Sequence, residues 1–198
     1  MKVIGFTGNY GIAAGENGPA LPPQCYLMAD SSILYSGRPW FIPDWAGRYV
    51  AVPAIAVRTG RLGKCIAPKF ARRYWDALTA CLAVRAVDSD DACLLALDRA
   101  MDGAAVVGEW VEAAGLDDPL QAVVEVKAGE TVLSRCRLAD MSPLPLDEML
   151  ARLSTRCSIK MGDVLVTGEC GAGHTLAAGD RLTASVDGRP VLDVKVRL

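Results

Sequence analysis

The chain has one histidine, His174, among 198 residues, so imidazole acid/base chemistry rests on that residue or is absent. It has no Cys-x-x-Cys pair. The seven cysteines, Cys25, Cys65, Cys81, Cys93, Cys136, Cys157 and Cys170, stand apart from one another. An odd number without paired spacing argues against a disulfide framework or a Cys/His zinc site, and for reduced thiols used mostly as small apolar side chains. No Glu-x-Glu occurs, so no strand offers two glutamates on one face to a divalent cation; Glu109 and Glu112, three positions apart, fall on opposite faces. The longest apolar runs are far short of a bilayer span, and the first residues enter a strand pattern directly, so a cytoplasmic protein off the membrane is expected. A net charge of -2 with scattered Lys and Arg leaves no basic stripe for nucleic acid. Nor is there a Pro/Gly/Ser linker, an internal repeat or a low-complexity tract. The expectation is one domain over residues 1–198 with one filled core.

What is present is concentrated at the C-terminal end. Residues 164–167 read as a short buried strand, followed by a loop broken at Gly168, Gly171 and Gly173. A second turn at Gly179-Asp180 leads into two strands joined at Asp187-Gly188. Gly162-Asp163, Thr167-Gly168, Gly171, Gly173 and Gly179-Asp180 resemble, in order and closely in spacing, the C-terminal region of the fumarylacetoacetate hydrolase family. That resemblance extends over nearly the whole chain and implies an α+β fold, a mixed β-sandwich or β-roll with a few short peripheral helices.

Earlier segments fit the same frame. Residues 2–6 alternate as a first strand and break at Gly8 to Gly11, with the Asn9-Tyr10 pair that the family keeps near its site. Residues 48–58 read as a strand rich in β-branched side chains. Residues 70–84 place Phe70, Tyr74, Leu78, Cys81 and Leu82 at helical spacing, which predicts a helix facing a core. Asp88, Asp90 and Asp91 precede an apolar run; they either cap a short helix there or gather on a cation, and capping is the simpler use. Residues 122–136 predict a hairpin turning at Ala128-Gly129-Glu130, and Leu146, Met149, Leu150 and Leu153 predict one face of a helix after Pro143 and Pro145.

The departures from the family fall on its chemistry. The resemblance implies metal-ligating carboxylates where this chain has Val52, Ala54 and Ala83, none of which carries a donor atom. It implies an acid/base histidine at Ala13 and lysines at Met28 and Arg99, and a Thr-Pro pair at Glu169-Cys170. Met28 otherwise fills core, and a salt bridge to a nearby Asp is the expected use of Arg99.

The family's reactions beside a 1,3-dicarbonyl or 2-oxo acid use Mg2+ or Mn2+ to hold oxygens and an enolate, a contribution of several kcal/mol to the barrier. Three apolar side chains do not supply a hard cation's oxygens, so no cofactor is expected. The reading is a family fold without its catalysis, a pseudoenzyme serving as a ligand-binding or assembly partner. It would act as a homodimer, or as a heterodimer with an active paralogue, and a small molecule would contact Asn9, Tyr10, Met28, Arg99, Glu169 and Cys170. The alternative is an active hydrolase, isomerase or decarboxylase of small 2-oxo or 1,3-dicarbonyl acids with an altered site. Either a divalent metal or a Cys170 nucleophile assisted by His174 and Glu169 would then carry the chemistry.

Overall fold

The computed structural model describes residues 1–11, 22–88, 91 and 93–198; the Ala13 and Asp90 expectations lie outside them. In chain order the strands are β1 (Val3–Thr7), β2 (Gln24–Met28), β3 (Ile33–Tyr35), β4 (Trp40–Phe41), β5 (Arg48–Thr59), β6 (Trp75–Val87), β7 (Ala105–Val107), β8 (Val111–Glu112), β9 (Val124–Ala128) and β10 (Thr131–Cys136). Helix α1 (Leu146–Arg156) follows, then β11 (Val164–Glu169), β12 (His174–Thr175), β13 (Arg181–Val186) and β14 (Arg189–Arg197). The fold is α+β, mostly strand, as the resemblance implies.

Nine strands form one mixed sheet in the order β2-β1-β11-β5-β6-β7-β3, with β12 beside β5 and β8 beside β6. The second sheet runs β10-β9-β13-β14-β4. Because side chains alternate along a strand, the large sheet has two buried faces of different character. Tyr49, Ile55, Val57, Leu78, Leu82 and Leu165 point into the main core. There they meet Val126, Leu182, Val186 and Leu192 of the second sheet and Leu146, Met149, Leu150 and Leu153 of α1. Burying each of the large aliphatic side chains among these contributes roughly 1.5–3 kcal/mol. The opposite face is lined by small residues, Ala54, Ala56, Cys81, Ala83 and Ala105, with Val3, Met28 and Val166.

That double burial overturns the helix predicted over 70–84. Residues Pro68–Tyr74 make a 3-10 turn and Trp75–Val87 is a strand of 13 residues, almost all buried. A strand covered on both faces loses its two-residue alternation, and its continuous apolar run then imitates a helical stripe. Phe70, assigned to the core stripe, is exposed.

The helix expected after Asp91 is likewise no more than a 3-10 turn, Leu95–Leu97. Asp91 accepts the Cys93 N–H at 2.9 Å, and Asp88 pairs with Arg48 at 3.4 Å. Other expectations match: the hairpin is β9 and β10, the late helix is α1 with Asp147 and Glu148 in its first turn and Arg156 in its last, and β13 and β14 join at Asp187-Gly188.

The Gly162-Asp163 and Asn9-Tyr10 pairs hold the ends of this framework together. Asp163 is fully buried at the start of β11 and accepts the backbone N–H groups of Lys2 and Lys160, each at 2.8 Å, while Lys2 Nζ pairs with its other side. Burial opposes its charge, but the bonds from Lys2 and Lys160 outweigh that and hold the carboxyl below its usual range. Asn9, also fully buried, donates from Nδ2 to the Leu144 and Thr167 carbonyls at 2.9 and 3.1 Å. Its Oδ1 accepts the Leu144 N–H at 3.0 Å.

Candidate functional site

The small-residue face of the large sheet is where the expected metal positions meet. In the β5–β6 ladder Val52 stands directly opposite Ala83, and Ala54 opposite Cys81. Val52 and Ala54 are one strand period apart, so all four side chains share that face. The three positions are brought together as expected, buried at 4, 0 and 7 % exposure. They do not fit a divalent cation: none has a donor atom, and Cys81 beside them is a thiol that burial pushes up to about 12, hence neutral. Among the described residues no three His, Cys, Asp or Glu side chains gather in a way that could hold a metal ion.

Polar groups at the margin of this face form a different constellation. On β11 the register slips between Val166 and Glu169, and Glu169 comes opposite Ala54. Arg99, from the segment after the Leu95–Leu97 turn, donates from Nη1 to Glu169 Oε1 at 3.0 Å. The two positions where the resemblance implies a lysine and a threonine are therefore bonded to each other, rather than Arg99 to a nearby aspartate as expected.

Tyr26, on β2, carries the guanidinium 5.4 Å above its ring centre. The ring lies over Gly5, where a Cβ would come within 2.2 Å of it, so the glycine makes room for the tyrosine. Burial pushes the Tyr26 phenol up to about 12, against the lowering influence of the Arg99 charge. Tyr26 was missed in the sequence; its face was legible from strand alternation, but its neighbour Arg99 is distant in the chain.

One further cation reaches this face. Arg85 lies two residues beyond Ala83 on β6, opposite Val50, and hence on the same side of the strand. Its Nε is buried without a hydrogen-bond partner. Arg85 and Arg99 line a cleft of about 440 Å³ together with Tyr26, Leu27, Leu95 and Asp98.

The remaining predicted residues divide into scaffold and site. Met28 packs with Ala54, Cys81 and Ala83, in keeping with a core use. Asn9 and Tyr10, expected to contact a ligand, are engaged elsewhere: Asn9 by the three bonds above, and Tyr10 by Thr167. Thr167 donates to the Ile55 carbonyl at 3.0 Å, so at 2.9 Å the Tyr10 hydroxyl is the donor to Thr167 Oγ1. Burial raises the Tyr10 phenol, and it stays protonated.

Cys170, placed with its loop as a nucleophile, is buried and joined to Cys136 in a disulfide. This corrects the reading of the cysteines as all reduced; the pair is 34 residues apart and no local spacing announces it. His174 Nε2 is bonded to Asp180 Oδ2 at 2.8 Å, while Glu169 is bonded to Arg99. The three groups of the thiolate reading thus have three separate partners.

The sequence matches the profile described as fumarylacetoacetate (FAA) hydrolase, C-terminal, over residues 2–197. The chain belongs to the fumarylacetoacetate hydrolase family. No curated protein matches the sequence at a significant level.

Solved structures similar in fold include a fumarylpyruvate hydrolase from Pseudomonas aeruginosa in complex with Mn2+ and pyruvate. It is 18% identical, with a TM-score of 0.87 over 100% of this chain and 90% of that one. A 5-carboxymethyl-2-hydroxymuconate delta-isomerase from Mycobacterium smegmatis is 22% identical, with a TM-score of 0.84 over 99% of this chain and 78% of that one. A 2-hydroxyhepta-2,4-diene-1,7-dioate isomerase from Mycobacterium marinum is 19% identical, with a TM-score of 0.84 over 99% and 74%. At these identities the likeness establishes the shared fold. Among the described residues no helix is long and apolar enough to cross a membrane.

Proposed function

We propose that this member of the fumarylacetoacetate hydrolase family is non-catalytic and acts as a ligand-binding or assembly protein, pairing with itself or with an active paralogue. The observation that carries the reading is the meeting of Val52, Ala54 and Ala83 on one buried face, closed at its margin by the Arg99–Glu169 ion pair. A divalent ion there would find alkyl groups and a cation where it needs about six oxygens. Glu169 offers one carboxylate, already neutralised by Arg99.

Without a cation to hold an enolate, a barrier contribution of several kcal/mol is missing, and each ~1.4 kcal/mol is about tenfold in rate. The thiolate alternative requires Cys170 beside a base, and its sulfur is bonded to Cys136 instead.

The test is a titration of the purified protein with Mg2+ and Mn2+, following the thermal midpoint, with metal content measured as isolated and turnover of an acylpyruvate assayed alongside. The expected result is an unchanged midpoint and no metal-dependent turnover. A midpoint that climbs with Mn2+ concentration, together with turnover, would sink the reading.

A further inference from the structure

We propose that the cleft between β2, the outer part of β6 and the Leu95–Leu97 turn binds a small carboxylate that carries an apolar tail. This deepens the ligand-binding reading above and rests on it. The head-group end is set by Arg85. Its Nε is buried and has no hydrogen-bond partner, and among the described residues its guanidinium forms no salt bridge. A buried donor left unsatisfied is costly, and a guanidinium recognises a carboxylate by two parallel N–H bonds, so an incoming anion meets a donor already desolvated and unmatched.

Arg99 lies in the same cleft but is held by Glu169 and stacked on Tyr26, which leaves it a secondary contributor of positive potential. Asp98, also on the cleft, is the one opposing charge among the described residues of its lining and weakens the site for any anion.

The tail end is set by leucines. Leu27 and Leu95 line the same cleft at 67 and 57 % exposure, and Leu94 and Leu97 flank Leu95 in the turn, each about half exposed. Two exposed leucines in the lining, with two more next to Leu95 in the turn, and an arginine whose Nε has no partner among the described residues make an amphipathic surface that a short oxygen-rich diacid does not match. An alkyl chain removes Leu27 and Leu95 from water while its carboxylate reaches Arg85.

The probe is octanoate, with butyrate, octanol and octylammonium as controls for tail, charge and sign. Binding is followed by calorimetry and by the thermal midpoint at concentrations below micelle formation. Octanoate is expected to bind at least tenfold tighter than butyrate or octanol, with octylammonium not binding. Arg85→Gln is expected to weaken octanoate by about tenfold or more, Leu95→Ser to erase the advantage of octanoate over butyrate, and Asp98→Asn to tighten binding severalfold.

Circular dichroism of each variant separates lost binding from lost folding, and Leu95→Ser keeps the test alive if Arg85→Gln does not fold. Binding that ignores both Arg85 and tail length overturns the proposal. So does a change of sedimentation on Leu95→Ser with no change in octanoate affinity, which would assign the leucines to a second copy of the chain. Mn2+-dependent turnover, by contrast, defeats the non-catalytic reading whatever octanoate does.

Discussion

Arg99 and Glu169 stand 70 positions apart in the chain and meet at 3.0 Å beside Ala54, on the face where the family resemblance implies a metal ion. The resemblance implies other residues at both positions, and in this chain the two side chains satisfy each other. An arginine alone there would be a partly buried cation with no counter-charge, and a glutamate alone an unpaired carboxylate beside alanine; together they are neutral. The margin of this face therefore carries an internal ion pair.

That pairing is measurable. The two side chains are 31 and 21 % exposed, so solvent screens them, and a double-mutant cycle with Arg99→Leu and Glu169→Leu should give a coupling of about 1 kcal/mol that shrinks in high salt. A coupling near zero at low salt would mean that the bond does not persist in solution.

Asn9 is expected to matter to stability and not to ligand binding. Asn9→Ala removes three buried hydrogen bonds, strands the Leu144 N–H and two carbonyls, and should cost on the order of 3 kcal/mol in urea unfolding. Gly168→Ala strikes the same clamp from the other side. Gly168 has φ +135°, and a Cβ there would lie 2.9 Å from that of Asn9, so a loss on the order of 2 kcal/mol is expected. Wild-type-like unfolding of either variant would contradict the assignment of this clamp to the scaffold.

Asp163 predicts the acid limit of the fold. Its folded-state pKa lies below the unfolded value of about 3.9. Its contribution is therefore complete above the unfolded value and is lost as pH falls through the folded one. Asp163→Asn should lose on the order of 2 kcal/mol at neutral pH and show a shallower loss of stability below about pH 4 than the wild type. Parallel stability curves for the two proteins in acid would place the acid sensitivity elsewhere.

The thiols should react in a fixed order. With iodoacetamide and no reductant, the exposed Cys25, Cys65 and Cys93 are modified first and half-buried Cys157 more slowly. Cys81 waits for unfolding, because it is fully buried and its thiol is pushed up to about 12. Cys136 and Cys170 remain unlabelled until reductant is added. Peptide mass spectrometry reads the order directly, and rapid labelling of Cys170 in the unreduced protein would revive the nucleophile reading.

The sequence by itself determined the framework. Gly162-Asp163, Thr167-Gly168, Gly179-Asp180, the β9–β10 hairpin and the α1 stripe are local signals, since a turn needs its glycine and an amphipathic helix needs its spacing within a few residues. It also determined that Val52, Ala54 and Ala83 carry no side-chain donor atom, because residue chemistry can be read without coordinates.

Tertiary structure alone decided three other matters. β6 is a strand because sheets and loops cover both its faces, which erases the alternation that would have revealed it. Cys170 is bonded to Cys136 because β10 passes against the glycine loop, where Ser134 donates to the Cys170 carbonyl at 2.7 Å. Arg99 chooses Glu169 over its neighbouring aspartates, and Arg85 Nε is left without a hydrogen-bond partner among the described residues, because partner choice depends on which strands the sheet sets side by side. Separation along the chain does not encode that order.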